Sequence, residues 1–533
     1  MTGRRSLLCG RLQKLTVRLS IGLFVASLVH ACYWHVRAQV IPYDDAYITY
    51  RYVQNFVAGS GLVYNPGEPV FGSSAPLYAL WLAMLAAVTH VGDIPALAVR
   101  TNAVFYVAAG MAIVGLARQL TRSSLAAFCI GVLYAMNPEM LNISLGGMES
   151  FLFLALCFGT LWALCADRIT LGMSLAAFSL LTRPEGLLLV AVCGLRWIGR
   201  SHRRDCTVPG IPIIILLPWV IFATLRYGTP VTHSIIAKSA PLYVLPPGSA
   251  LATIMWQLTS WSAMSSSPTE AGSLLILVLV LAVTVTASYG LLRCGAMPAR
   301  GGPHLAITLW MFVSFYAVTN VLLFEWYLPV LWSLWALVVI MGLPAFSHWI
   351  AGDARGLSSK SRVALPIVSI ALSALLVARS PVSFYRLAWS SQYTVSLPAG
   401  SPERLRVQAY REAADWLNAH SDSSTTVLAS EIGAFGYYFD GHVYDACGLV
   451  SPQALPYLPV PIDERVDGAA GAISSEFARA VQADYVVTLP VFSKKSIEVD
   501  PWFRSRYEPV QSIELPAPVW NSSEVIIWAR KQM

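Results

Sequence analysis

Charge is what this sequence has least of. Asp, Glu, Lys and Arg make up 12% of its 533 residues, about half of the roughly 25% usual in soluble globular proteins. With 56% hydrophobic residues and a mean hydropathy of +0.59, that scarcity excludes an ordinary cytoplasmic enzyme and a disordered scaffold. CxxC pairs are absent and the cysteines number nine. Eight of them, Cys9, Cys32, Cys129, Cys157, Cys165, Cys193, Cys206 and Cys294, fall in or beside apolar runs. A disulfide framework and a zinc site are therefore not expected, and the thiols read as small apolar side chains. Repeats and low-complexity tracts are also missing. The net charge of +7 does not call for a nucleic-acid partner, because about half of the cations sit in short loops between apolar runs, where membrane topology accounts for them.

What is present in abundance is apolar sequence in lengths suited to about 30 Å of hydrocarbon. Such runs cover 17–38, 75–91, 97–117, 123–137, 149–166, 169–199 with an interruption, 208–226, 270–292, 304–323, 327–347 and 363–379. If 75–91 lies along the outer face and the chain starts inside, 17 of the 23 Lys and Arg residues before Arg379 fall on the cytoplasmic side, as the positive-inside rule asks. If 75–91 crossed, the bias would largely reverse. The interrupted run then becomes two short spans turning outside at Thr182-Arg183-Pro184-Glu185. The expectation is a polytopic α-helical membrane protein with about eleven transmembrane helices plus helices lying at the outer surface. Its N-terminus is in, residues 39–96 form the first outer loop, and the C-terminus is out. Reading 4–38 as a signal peptide would leave this threading unchanged.

The expected domains are 1–379, within the membrane, and 380–533, a small soluble extracytoplasmic α/β domain. The second has an amphipathic helix over Pro402–His420, strands at 425–429, His442–Asp445, 484–489 and 524–528, and a glycine-punctuated helix at 432–438.

Chemistry is expected where loops are long, because connecting segments commonly carry function. In the first outer loop Pro42 ends a span, and Asp44-Asp45 open an amphipathic helix on which Tyr47, Tyr50, Val53 and Val57 recur. One acid there can cap the helix. Two neighbours diverge by about 100°, so one can cap while the other faces a cavity as a general base. Candidate cations are Lys238, just after a span, Arg183, in a short turn, and Arg51. Each has an ordinary alternative as a snorkelling side chain, and Glu185 can simply pair with Arg183. Tyr47, Glu149, Glu185, His233, Glu325 and Tyr327 are the candidate cavity residues. His233 stands alone among histidines in the second long outer loop, 227–269, and a lone histidine makes a poor metal site.

The string DDAYITYRY followed by GSGLVYNPGEPVFGSS resembles the first periplasmic loop of GT-C glycosyltransferases. It is closest to the group that includes the mycobacterial terminal arabinofuranosyltransferases of cell-wall arabinan. GGMES at 146–150, TRPEG at 182–186 and HSIIAKS at 233–239 also look like family features. The resemblance covers about 1–379, and the outer domain looks like one such proteins append. It implies transfer of a sugar, arabinofuranose or another pentose or hexose, from a polyprenyl-phosphate donor to a glycan, lipid or protein acceptor. The site would lie at the outer face of the cytoplasmic membrane. Asp44 would match the family's base and Asp45 its neighbour, capping the helix or orienting the acceptor. Lys238, then Arg183 and Arg51, would neutralise the donor phosphate.

Two other classes compete with this reading. A transporter or flippase of lipid-linked sugars would also have many spans, but transporters commonly show internal repeats and ionisable groups near the midplane. Here the ionisable residues gather toward one face. A non-catalytic envelope assembly protein is the other, against which the intact Asp44-Asp45 pair speaks. No cofactor is called for, and a divalent cation could assist the acids.

Overall fold

Backbone that leaves water must satisfy its own N–H and C=O groups, so apolar runs of this length become helices. The computed structural model describes residues 2–37, 41–199, 207–239, 245–259, 271–293, 301–353, 402–469 and 471–532. The first part holds α1 (Thr2–Arg37), α2 (Asp44–Val57), α3 (Pro76–Thr89), α4 (Ile94–Thr121), α5 (Ser124–Ala135), α6 (Pro138–Leu145), α7 (Ser150–Cys165) and α8 (Ile169–Leu180). It continues with α9 (Gly186–Ile198), α10 (Gly210–Tyr227), α11 (His233–Ser239), α12 (Ser249–Thr259), α13 (Ala271–Arg293), α14 (Gly302–Thr319) and α15 (Leu328–Asp353).

Among the described residues five helices are long and apolar enough to cross a membrane: Gln13–Arg37, Ile94–Thr121, Gly210–Tyr227, Gly302–Thr319 and Glu325–Ser347. The pair α5 and α6, bent by 54° at its break, makes a sixth if it is one span. The expected eleven are thus not all matched. Helices α7, α8 and α9 have 16, 12 and 13 residues; at 1.5 Å per residue the last two reach only about 20 Å. The break between α8 and α9 falls at the anticipated polar turn. The expected span at 363–379 lies outside the described residues.

Loops collect at two opposite ends of the bundle. At one end Asp167 pairs with Arg196 at 3.0 Å, and Gly301 packs against Cys165. At the other, the Tyr43 hydroxyl donates to Glu325 at 2.6 Å, Ser150 donates to the Trp326 carbonyl at 2.9 Å, and His233 N–H reaches the Phe71 carbonyl at 2.7 Å. Helix α3 has both of its ends here. Leu77 N–H donates to the Leu181 carbonyl at 2.8 Å, and just past the helix Asp93 and the Ile94 backbone meet the Tyr437 hydroxyl. The apolar run 75–91 therefore lies across one end of the bundle instead of traversing it.

The same end is covered by a five-stranded sheet domain. Its strands β1 (Thr426–Ala429), β2 (His442–Asp445), β3 (Tyr485–Thr488), β4 (Tyr507–Val519) and β5 (Ser522–Arg530) run in the order β2-β1-β3-β5-β4. Strand β1 is parallel to β2 and β3, and β5 is antiparallel to β3 and β4. Helices α16 (Pro402–His420) and α17 (Ala434–Tyr438) face the bundle side, while Leu428, Val486, Phe477 and Phe503 fill a core on the opposite face of the sheet. The sequence pattern misses β4 because Pro509, Pro516 and Pro518 interrupt it; the strand lies at the sheet edge and its register shifts beside Pro509, where proline is tolerated.

Candidate functional site

Helix α2 is the floor on which the sheet domain sits. Its N-cap is Tyr43, and no side chain caps it, so neither Asp44 nor Asp45 fulfils the expected capping role. Asp44 is 5% exposed. Its Oδ1 accepts from Ala434 N–H at 2.8 Å, and Gly433 packs on its carboxylate so closely that no Cβ would fit.

Two turns further on, Arg51 is buried as well. Its Nε donates to the Tyr64 carbonyl at 2.8 Å, Nη1 to the carbonyls of Gly436 and Phe439, the latter at 3.0 Å, and Nη2 to that of Gly441 at 2.9 Å. These contacts place Arg51 in the seam between the bundle and the sheet domain, with its donors committed to backbone. Tyr47 lies in the same seam, its ring against Tyr50, Tyr437 and Tyr438. More of the first outer loop joins it. The Tyr64 hydroxyl donates to the Ile432 carbonyl at 2.5 Å, Asn65 bonds both backbone groups of Val443, and Glu68 meets His442 at 3.0 Å. His233 leans on the Gly448 backbone. A loop that reads as a substrate loop is in large part a docking surface.

Asp45, one residue on, takes the other direction. It is partly exposed, and the charges of Lys238, Asp44, Arg406 and Glu149 act on it. Burial raises its carboxyl, Lys238 opposes that, and Asp44 adds to it. Lys238, on α11, is exposed. Its ammonium is held charged first by the Tyr327 hydroxyl and then by Asp45, against burial and the repulsion of Arg183. Among the described residues no hydrogen bond or contact ion pair engages it.

Arg183 is differently placed. It sits between Glu149 and Glu185, at 3.5 Å from each, donates to the Trp326 carbonyl at 3.1 Å, and lies 4.1 Å over the Tyr327 ring. Tyr316 donates to Glu185 at 2.7 Å. Two acids therefore already balance this cation. Glu325 is engaged by Tyr43 in a neighbouring cluster.

Three residues that the sequence reading passed over come from the sheet domain. Arg406, on α16, bonds Glu431 at 2.9 Å and faces Asp44 and Asp45. Burial pushes the Glu431 carboxyl up to about 7 against the pull of Arg406. Arg404 donates to the Asn142 carbonyl at 2.9 Å and stacks 4.4 Å over Tyr43. One signal could have found the arginines: both lie near the N-terminal turn of α16, where a cation opposes the helix dipole and so requires a partner elsewhere. Among the described residues no three His, Cys, Asp or Glu side chains come together as a metal site.

Arg404, Arg406 and Glu431 belong to a segment that matches a known domain family. Residues 402–528 match a family described as a domain of unknown function, DUF8728. No curated protein matches the chain. The matched segment carries Arg404, Arg406, Glu431 and α17.

Proposed function

We propose that the protein is an integral-membrane glycosyltransferase that moves a sugar from a polyprenyl-phosphate donor to a cell-envelope glycan, lipid or protein acceptor. The observation that carries this reading is that partly exposed Asp45 and exposed Lys238 act on each other at the sheet-domain end of the apolar bundle, taken as the substrate cleft, and that no hydrogen bond or contact ion pair engages Lys238 among the described residues. The other nearby cations, Arg51, Arg183 and Arg406, already have partners.

The chemistry needs those two groups. The acceptor hydroxyl passes its proton to Asp45 as its oxygen forms a bond to the anomeric carbon, and the carbon–oxygen bond to the lipid phosphate breaks. The polyprenyl phosphate departs with the electron pair, and Lys238 stabilises the charge it gains. Helix α3, lying across the sheet-domain end of the bundle, and exposed apolar residues of α10, such as Ile213, Ile214, Leu217 and Phe222, suit a donor carried by a lipid. The opposite end of the bundle gathers Arg118, Arg122, Arg168 and Arg196, which supports a cytoplasmic position for that end and an extracytoplasmic one for the sheet domain.

The test is transfer from a synthetic polyprenyl-phosphate sugar by purified protein. Lys238→Met keeps the stem and deletes the charge. It is expected to lower kcat at saturating donor by on the order of 10²-fold, more than it weakens donor binding. Lys238→Arg should retain part of the activity. Near-normal kinetics for Lys238→Met would refute the assignment of the phosphate contact.

A further inference from the structure

Asp44 and Arg51 hold the two ends of one short segment of the sheet domain. The Asp44 carboxylate receives the N–H of Ala434, the first residue of α17, while Arg51 binds the carbonyl of Gly436 within it and those of Phe439 and Gly441 beyond its end. Gly433 is glycine because the Asp44 backbone oxygen and carboxylate occupy the space of a Cβ, and Gly436 because the Tyr64 hydroxyl does. A segment gripped at both ends and in close backbone contact has one register on α2.

That register decides what faces the cleft. Side chains of successive helical residues diverge by about 100°, so with Asp44 turned to Ala434, Asp45 is turned away from the docked segment and stays partly exposed, under the influence of Lys238. Arg406, carried by the same docked domain, then faces both acids. We infer that Asp44 is a positioning residue: by binding Ala434 it registers the sheet domain as a fixed wall of the cleft, and the proton acceptor is Asp45. This rests on the reading of the cleft as a glycosyl-transfer site, but the docking half of it stands on contacts that need no activity to be measured.

The experiment uses the full-length protein in lipid nanodiscs with three variants, Asp44→Asn, Asp44→Ala and Asp45→Asn. Two readouts are taken: amide hydrogen exchange across 432–441, and kcat, KM and pH dependence of transfer from a synthetic polyprenyl-phosphate sugar. Asp44→Asn keeps an oxygen for Ala434, so exchange protection should stay and kcat should remain within about threefold with an unchanged pH profile. Asp44→Ala should lose protection at least tenfold and lose kcat more than donor affinity. Asp45→Asn should keep protection and lose turnover by about 10²–10⁴-fold, the range for a removed general base. An Asp44→Asn protein that stays protected yet is as inactive as Asp45→Asn would make Asp44 the proton acceptor and overturn the inference, whether or not the alanine variant folds. If the wild-type chain transfers no sugar, the functional reading fails by itself. In that case unchanged exchange in Asp44→Ala would separately overturn the positioning role, and lost exchange protection would uphold its docking half.

Discussion

Replacing Arg51 by methionine separates a domain clamp from a phosphate ligand. Arg51 is 4% exposed, and its guanidinium supplies the donors for three carbonyls of the sheet domain, those of Gly436, Phe439 and Gly441. The fourth acceptor, the Tyr64 carbonyl, keeps a donor in Asn55 at 2.8 Å, so only the three domain carbonyls are orphaned. Each buried acceptor left without a donor costs about 1–3 kcal/mol. The methionine keeps the aliphatic stem, while the guanidinium that now lies 4.7 Å over the Tyr64 ring is lost. With water reaching part of the opened seam, the low end of the range applies to each carbonyl. The sum is about 3 kcal/mol, roughly a hundredfold in the docking equilibrium. Amide exchange across 432–441 and protease protection of residues 402–532, measured on the full chain in nanodiscs, report that equilibrium directly. The expected result is strongly accelerated exchange in 432–441, with α4 and α14 unaffected. Unchanged protection together with a raised KM for a polyprenyl-phosphate donor would refute the clamp and return Arg51 to the phosphate.

Gly436→Ala should destabilise docking by about 1–3 kcal/mol, because the added methyl runs into the Tyr64 hydroxyl. Combined with Tyr64→Phe the loss should be clearly less than the sum of the two single changes, and additive behaviour in thermal unfolding would refute the contact. Glu431 sets a pH dependence. Its folded value of about 7 lies above the ordinary 4.5 because burial outweighs Arg406, so its protonated form suits the fold. Its contribution to stability is full below about 4.5 and is lost as the pH rises through about 7. The sheet domain's melting temperature should accordingly fall between those pH values, and Glu431→Gln should flatten the slope; an unaltered slope in that variant would show another group to be responsible.

Much of the architecture was legible in the sequence because it depends on local pattern. Runs of apolar residues mark helices, and the distribution of arginines requires 75–91 to lie along a surface, in agreement with the placement of both ends of α3 at one end of the bundle. Alternation and glycine punctuation locate α16, α17, β1, β2, β3 and β5, while β4 escapes because its prolines disguise an edge strand. The turn at Thr182-Arg183-Pro184-Glu185 and the pairing of Arg183 with Glu185 are also local and were likewise legible.

The division of labour between neighbours was not. Asp44 and Asp45 are the same residue type at adjacent positions, and nothing in their local sequence tells which one faces water. That is decided by Ala434, 390 residues away, whose N–H takes Asp44. Arg51, Arg183 and Lys238 are likewise three outer-end cations until the fold supplies their surroundings. Three carbonyls of the sheet domain engage the first and two acids flank the second, while the third has no hydrogen bond or contact ion pair among the described residues. Composition and periodicity alone determined that the chain builds an apolar helical bundle with a small α/β domain, because burial and backbone hydrogen bonding act over one or two turns. Which charges are committed and which stay available was decided by tertiary contacts, because a charge's role depends on partners that only chain crossing brings within hydrogen-bond distance.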